Sequence, residues 1–177
     1  MISDSVRDGW LAFTKPLEGY VPWPYLDIRG LVTIGYGCLV DPFALAAPAG
    51  IPEGIWQAVK VMVPGMAATR YDHGWRATQD QLQAVALARL DSDVPVLETV
   101  FGDLSAFPEQ VQLVICSLDW ACGAGWPHEF PRGSAALKAG DWAAAAEELH
   151  IQEAGNPGVA PRNARDHALL VSLLAAA

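Results

Sequence analysis

Glu18, Asp27 and Thr33 are the residues whose types and spacing could do chemistry. Two carboxylates stand nine positions apart, with a hydroxyl six further on, inside EGYVPWPYLDIRGLVTIGYG from Glu18 to Gly37. Hydrolysis of a glycosidic bond requires one carboxylic acid to protonate the leaving oxygen and a second carboxylate to activate water or attack directly. This stretch could supply both. An ordinary hairpin is the alternative, with β-rich sequence broken by Gly30 and with Val32, Ile34 and Tyr36 alternating. That alternative accounts for the glycines and aromatics, but not for an acid at both Glu18 and Asp27.

The elements around these residues follow from hydrophobic spacing. Val6, Trp10, Phe13 and Leu17 recur at helical intervals, so a helix is expected over about residues 3 to 15, capped by Ser3 or Ser5 and ended by Pro16. Glu18 then falls just past the helix. Residues 24 to 38 read as a small antiparallel sheet, expected to be the only one. The segment from Asp41 to Trp75 is punctuated by Pro42, Pro48, Pro52 and Pro64, with a short helix near 53 to 62 presenting Ile55, Val59 and Met62, and no chemical role.

Thr78 and Gln81 form a capping box. From there Leu82, Ala86, Leu90, Val94, Leu97 and Phe101 run down one helical face, and Pro95 predicts a kink or a junction of two helices. A further helix spans about 108 to 121, with Val111, Val114, Ile115, Leu118 and Cys122 as its stripe, ended by Gly123 and Gly125. Shorter helices cover 134 to 138 and 141 to 150, and a last one runs from about Arg162 into the terminal alanines. The fold class expected is α+β, mostly helical, with one small antiparallel sheet.

Bulk properties narrow the function classes. At 177 residues, 52% hydrophobic and 18% charged, the chain fits one folded domain. No apolar run reaches membrane-span length, so no integral membrane association is expected. The N-terminal MISDSVRDGW lacks a cationic start followed by an apolar core, so synthesis in the cytoplasm without a signal peptide is expected. The three cysteines, Cys38, Cys116 and Cys122, make no disulfide framework. Cys116 and Cys122 sit six residues apart on one helix, about 9 Å by helical rise. His73, His128, His150 and His167 are scattered, and neither metal nor cofactor is expected. A net charge of −9 without a basic patch argues against nucleic acid.

The active-site stretch resembles that of phage-type lysozymes, the family of the T-even phage enzyme (glycoside hydrolase family 24). The resemblance rests on Glu18-Gly19, Tyr25-Leu26-Asp27-Ile28-Arg29-Gly30 and Thr33-Ile34-Gly35-Tyr36-Gly37, at the family spacing. It implies a two-lobed fold, with an N-terminal lobe over about residues 1–75, a helical lobe over about 76–177, and Thr78 to Val100 as the linking helix. The implied activity is hydrolysis of the β-1,4 bond between N-acetylmuramic acid and N-acetylglucosamine. Glu18 would be the general acid, its pKa raised by aromatic neighbours. Asp27 would be the general base on a water held by Thr33. Such an inverting arrangement separates the carboxyl groups by roughly 6.5–9.5 Å.

Tyr25 and Trp120 could offer apolar faces to sugar, although a Trp at helical spacing is often core. Arg162, within GVAPRNARD, corresponds to an arginine that flanks the family's cleft; the alternative is an arginine at a helix start that only meets solvent. The chain departs from the family at Ser117 and Ala121, where amides are usual, and at Cys38, where a histidine often follows the glycines. Those departures put subsite preference and local stability in question, not the chemistry.

The expected partner is bacterial peptidoglycan, and a monomer is expected. Without a signal peptide, the enzyme would reach the wall through a phage holin pore, as an endolysin, or through a secretion system, as a bacteriolytic effector with an immunity protein. The rivals are a lytic transglycosylase on the same bond, a catalytically inactive wall-binding domain, and a structural helical domain with no carbohydrate ligand.

Overall fold

The N–H of Val6 reaches the Ser3 hydroxyl at 3.4 Å, so Ser3 caps the first helix, α1 (Asp4–Glu18). In the computed structural model residues 1–27, 29–62 and 74–175 are described. Ile28, Pro64, His73 and the last two alanines lie outside the described residues. The protein is mostly helical, with a three-stranded antiparallel sheet in the order β1 (Val21–Leu26), β2 (Val32–Gly35), β3 (Cys38–Leu39).

Helix α1 continues through Pro16 to Glu18 instead of stopping at the proline. A proline removes one backbone hydrogen bond, here the one to the Ala12 carbonyl. Ala12 and Pro16 are both exposed, so water can serve that carbonyl. The same holds further along the chain. Helix α4 (Gln79–Phe101) is one uninterrupted helix through Pro95, and both Pro95 and Asp91, four residues earlier, are exposed. Its start is the expected capping box: the Gln81 N–H donates to Thr78 Oγ1 at 3.2 Å, and the Thr78 N–H donates to Gln81 Oε1 at 2.8 Å.

Between the sheet and α4 lie α2 (Phe43–Ala46) and α3 (Glu53–Lys60). The buried side chains of α3 are Trp56 and Val59, not Ile55 and Met62. Trp56 wins because its indole N–H reaches the Val40 carbonyl at 2.8 Å and its ring meets Phe43 edge-on at 5.8 Å. After α4 come α5 (Glu109–Cys122), α6 (Trp126–Glu129), α7 (Pro131–Ala139), α8 (Trp142–Glu148) and α9 (Ala160–Leu174). The single turns α2 and α6 are too short to show a helical period in sequence.

The described residues form two compact units: residues 11–89, and residues 1–10 with those from 90 onward. The division runs through α1 and α4. In the sheet-bearing unit, α3 packs on β1 and β2, and Leu26, Val32, Ile34, Cys38 and Val59 are buried. In the helical unit, α5 packs against α6 and α9, and α8 lies between α7 and α9. Val111, Val114, Ile115, Cys116, Leu118 and Trp120 are all buried, the pattern of a helix surrounded by others rather than one with a single apolar stripe. Removing each such aliphatic or aromatic side chain from water contributes about 1.5–3 kcal/mol before entropy is counted.

Candidate active site

Glu18 is the last helical residue of α1, and it is half-buried. Gly19 follows with φ +70°, a left-handed conformation that suits glycine, and its N–H returns to the Lys15 carbonyl at 3.1 Å. The chain therefore leaves the helix immediately after the acid and enters β1 two residues later.

Asp27 sits at the other end of β1, in the turn to β2. Its N–H donates to the Leu31 carbonyl at 3.0 Å, and the Gly30 N–H donates to the Asp27 carbonyl at 3.1 Å. The side chain holds the same turn. Asp27 Oδ1 accepts the N–H groups of Arg29 and Leu31, each at 2.8 Å. Gly30 adopts φ +76°, the left-handed step that this tight turn requires. The carboxylate is thus oriented by the backbone it stabilises.

Tyr25 pairs directly with Thr33, and Leu26 with Val32. Facing residues in an antiparallel pair project to the same side of the sheet. Leu26, Val32, Ile34 and Cys38 then make the buried side, and Tyr25 and Thr33 the opposite one. Thr33 is buried, and its hydroxyl donates to the Leu31 carbonyl at 3.3 Å. A hydroxyl has one donor and two acceptor positions, so Thr33 can still accept from a water.

Burial, then the negative charges of Asp27 and Glu18 and the nearby Cys38, push the Tyr25 phenol up to about 12. Glu18 and Asp27 lie at opposite ends of β1, with Tyr25 on the strand between them. Cys38, also pushed up by burial, to about 11, feels Glu18 as well and the opposing pull of Arg89. Its thiol is neutral at ordinary pH and belongs to the core.

Trp120 and Arg162 belong to the helical unit, and Glu18, Asp27, Thr33 and Tyr25 to the sheet-bearing unit. Trp120 is 5% exposed and meets Trp10 at 5.4 Å in an edge-on contact. Arg162 is 4% exposed, and its guanidinium donates to the Ser117 carbonyl at 2.8 Å and to the Ser117 hydroxyl at 2.7 Å. Arg162 lies in the first turn of α9 but meets α5, not solvent. Of the side chains expected to grip sugar, Trp120 and Arg162 are engaged inside their own unit.

Sequence reasoning missed two buried acids in the helical unit, one of them near Arg162. Asp119 on α5 and Asp166 on α9 are each about 1% exposed or less. Burial pushes Asp166 up to about 7, against the pull of Ser117, Arg162 and Arg165. The signal for Asp166 was its position four residues after Arg162, the spacing at which helical side chains meet. Among the described residues no group of His, Cys, Asp or Glu is placed to hold a metal ion, and no helix is long and apolar enough to cross a membrane. No protein-family profile matches the chain, and no curated protein is significantly similar to it.

Proposed function

We propose that the chain is a lysozyme, a peptidoglycan hydrolase that cleaves the β-1,4 bond between N-acetylmuramic acid and N-acetylglucosamine. The observation that carries this reading is the placement of Glu18, at the end of α1, and Asp27, held in the β1–β2 turn, at the two ends of one strand within one compact unit. Glycoside cleavage needs one carboxyl group as acid and another as base, and carboxyl groups held in different local environments can divide those roles.

In this reading Glu18 is the general acid. It sits at the C-terminal end of α1, where the helix carbonyls disfavour negative charge, and this suits an acid that must keep its proton. Asp27 is the general base. Its Oδ1 is held by two turn amides, which leaves Oδ2 for the attacking water. Thr33 accepts a hydrogen bond from the same water, and a water between the acids implies inversion at the anomeric carbon. Tyr25 lines the sugar side of the sheet. A net charge of −9 gives no long-range attraction to an anionic wall, which suits delivery by a holin pore or a secretion machine.

The test is digestion of purified peptidoglycan, with mass spectrometry of the released muropeptides. Products with a reducing N-acetylmuramic acid end are expected from the wild type and none from Glu18→Gln. Anhydro products would make the protein a lytic transglycosylase instead. No release by the wild type, with wall binding retained, would make it a binding domain.

A further inference from the structure

Lys60 and Asp41 both come from the segment to which the sequence assigned no role. Lys60 closes α3, one turn after Trp56. Its ammonium donates to the Gly30 carbonyl at 3.1 Å and forms a close ion pair with Asp41. Asp41 Oδ2 also accepts the Val32 N–H at 3.2 Å. The same face of α3 is anchored by the Trp56 indole on the Val40 carbonyl, next to Asp41. Lys60 is only part-exposed and Asp41 is mostly covered, so water weakens the pair less than it would at the surface.

These contacts reach the same turn that aims Asp27. Its near side is held by Asp27 Oδ1 on the amides of Arg29 and Leu31. Its far side, the Gly30 carbonyl and the Val32 N–H, is held by Lys60 and Asp41. We infer that Lys60 and Asp41 are positioning residues for the Asp27 carboxylate, clamping the Gly30–Val32 end of its turn to α3. The inference rests on the lysozyme reading of Asp27. Lys60 tethers the turn by charge to a backbone carbonyl and to a carboxylate that itself grips the β2 entry. Asp41 is held below the usual carboxylate range chiefly by its hydrogen bond to Lys60, so its carboxylate stays ionised at working pH.

The experiment compares wild type, Lys60→Met and Lys60→Arg by steady-state cleavage of purified peptidoglycan and by backbone amide hydrogen exchange. In Lys60→Met, kcat is expected to fall about tenfold or more, since small misplacement of a catalytic group is costly in rate. KM should stay within about twofold. Amide exchange should quicken at Arg29, Leu31 and Val32 while Ile34 keeps its protection, and Lys60→Arg should recover most of the rate. An unchanged kcat in Lys60→Met overturns the clamp. So does exchange that quickens evenly over residues 11–89, because a general loss of stability would then be the cause. A wild type that leaves peptidoglycan intact overturns the lysozyme reading and with it the catalytic meaning of the clamp. A wild type that cleaves, beside an equally fast Lys60→Met, overturns the clamp alone.

Discussion

Asp27 and Leu31 are joined by two hydrogen bonds, the Asp27 N–H to the Leu31 carbonyl at 3.0 Å and the Leu31 N–H back to Asp27 Oδ1 at 2.8 Å. The second uses the side chain, and this separates the structural job of Asp27 from its chemical one. Asparagine carries the same Oδ1 acceptor and none of the negative charge. Asp27→Asn should therefore keep the turn and lose the base. The expected result is a melting temperature within a few degrees of wild type and a rate of muropeptide release about 10²–10⁴-fold lower. A normal rate in this variant would remove Asp27 from the mechanism.

Thr33 permits a finer test. Valine has nearly the same shape, and the hydroxyl it lacks makes only a long 3.3 Å bond to the Leu31 carbonyl. Thr33→Val should cost about 1 kcal/mol of stability or less in a urea melt. Its kcat should fall by about an order of magnitude, since a positioned hydrogen bond to the water is lost. Thr33→Ser should retain activity. Equal rates for the valine and serine variants would show that the hydroxyl does not hold the water.

Arg162 yields the opposite pattern. Its guanidinium is buried and donates twice to Ser117. Arg162→Met should leave the Ser117 carbonyl and hydroxyl without their buried guanidinium donor, and lower stability by a few kcal/mol. Thermal melts and peptidoglycan affinity, measured on protein kept well below its melting point, separate the two roles. A large loss of affinity with an unchanged melt would restore Arg162 as a sugar contact.

Asp166 sets a pH dependence. Its folded-state pKa, about 7, lies above the ordinary value of 3.8, so between those values the folded state holds the proton more tightly than the unfolded chain. Its contribution to stability is complete below pH about 4 and is lost as pH rises through about 7. Asp166→Asn cannot ionise and escapes that loss. The melting temperature of the variant minus that of wild type should therefore be higher at pH 8 than at pH 5. A difference that is flat or falls with pH would contradict the buried neutral acid.

The local parts of the fold were legible in the sequence because they depend on residues within a few positions of one another. The Thr78–Gln81 capping box, the Leu82-to-Phe101 stripe of α4 and the sheet around Gly30 all follow from such short-range patterns. So does the alternation that sends Tyr25 and Thr33 to one side of the sheet and Leu26 and Val32 to the other. The prolines were misread because their effect is not local. Pro16 and Pro95 are tolerated where the carbonyls they orphan face water, and exposure is a property of the packed chain.

By itself, then, the sequence determined the longer helices, the small sheet and which acids flank the hairpin. Only the tertiary structure decided what each charged side chain meets. Lys60 finds the Gly30 carbonyl across 30 positions, and Arg162 finds Ser117 across 45. Contacts that distant require the intervening chain to close a loop whose entropy is offset by packing elsewhere, and no short pattern of residue types encodes that closure. For the same reason Trp120 and Arg162, plausible at a sugar-binding surface by residue type, lie in the interior of the helical unit, while the unremarked Asp41 and Lys60 hold the turn that aims Asp27.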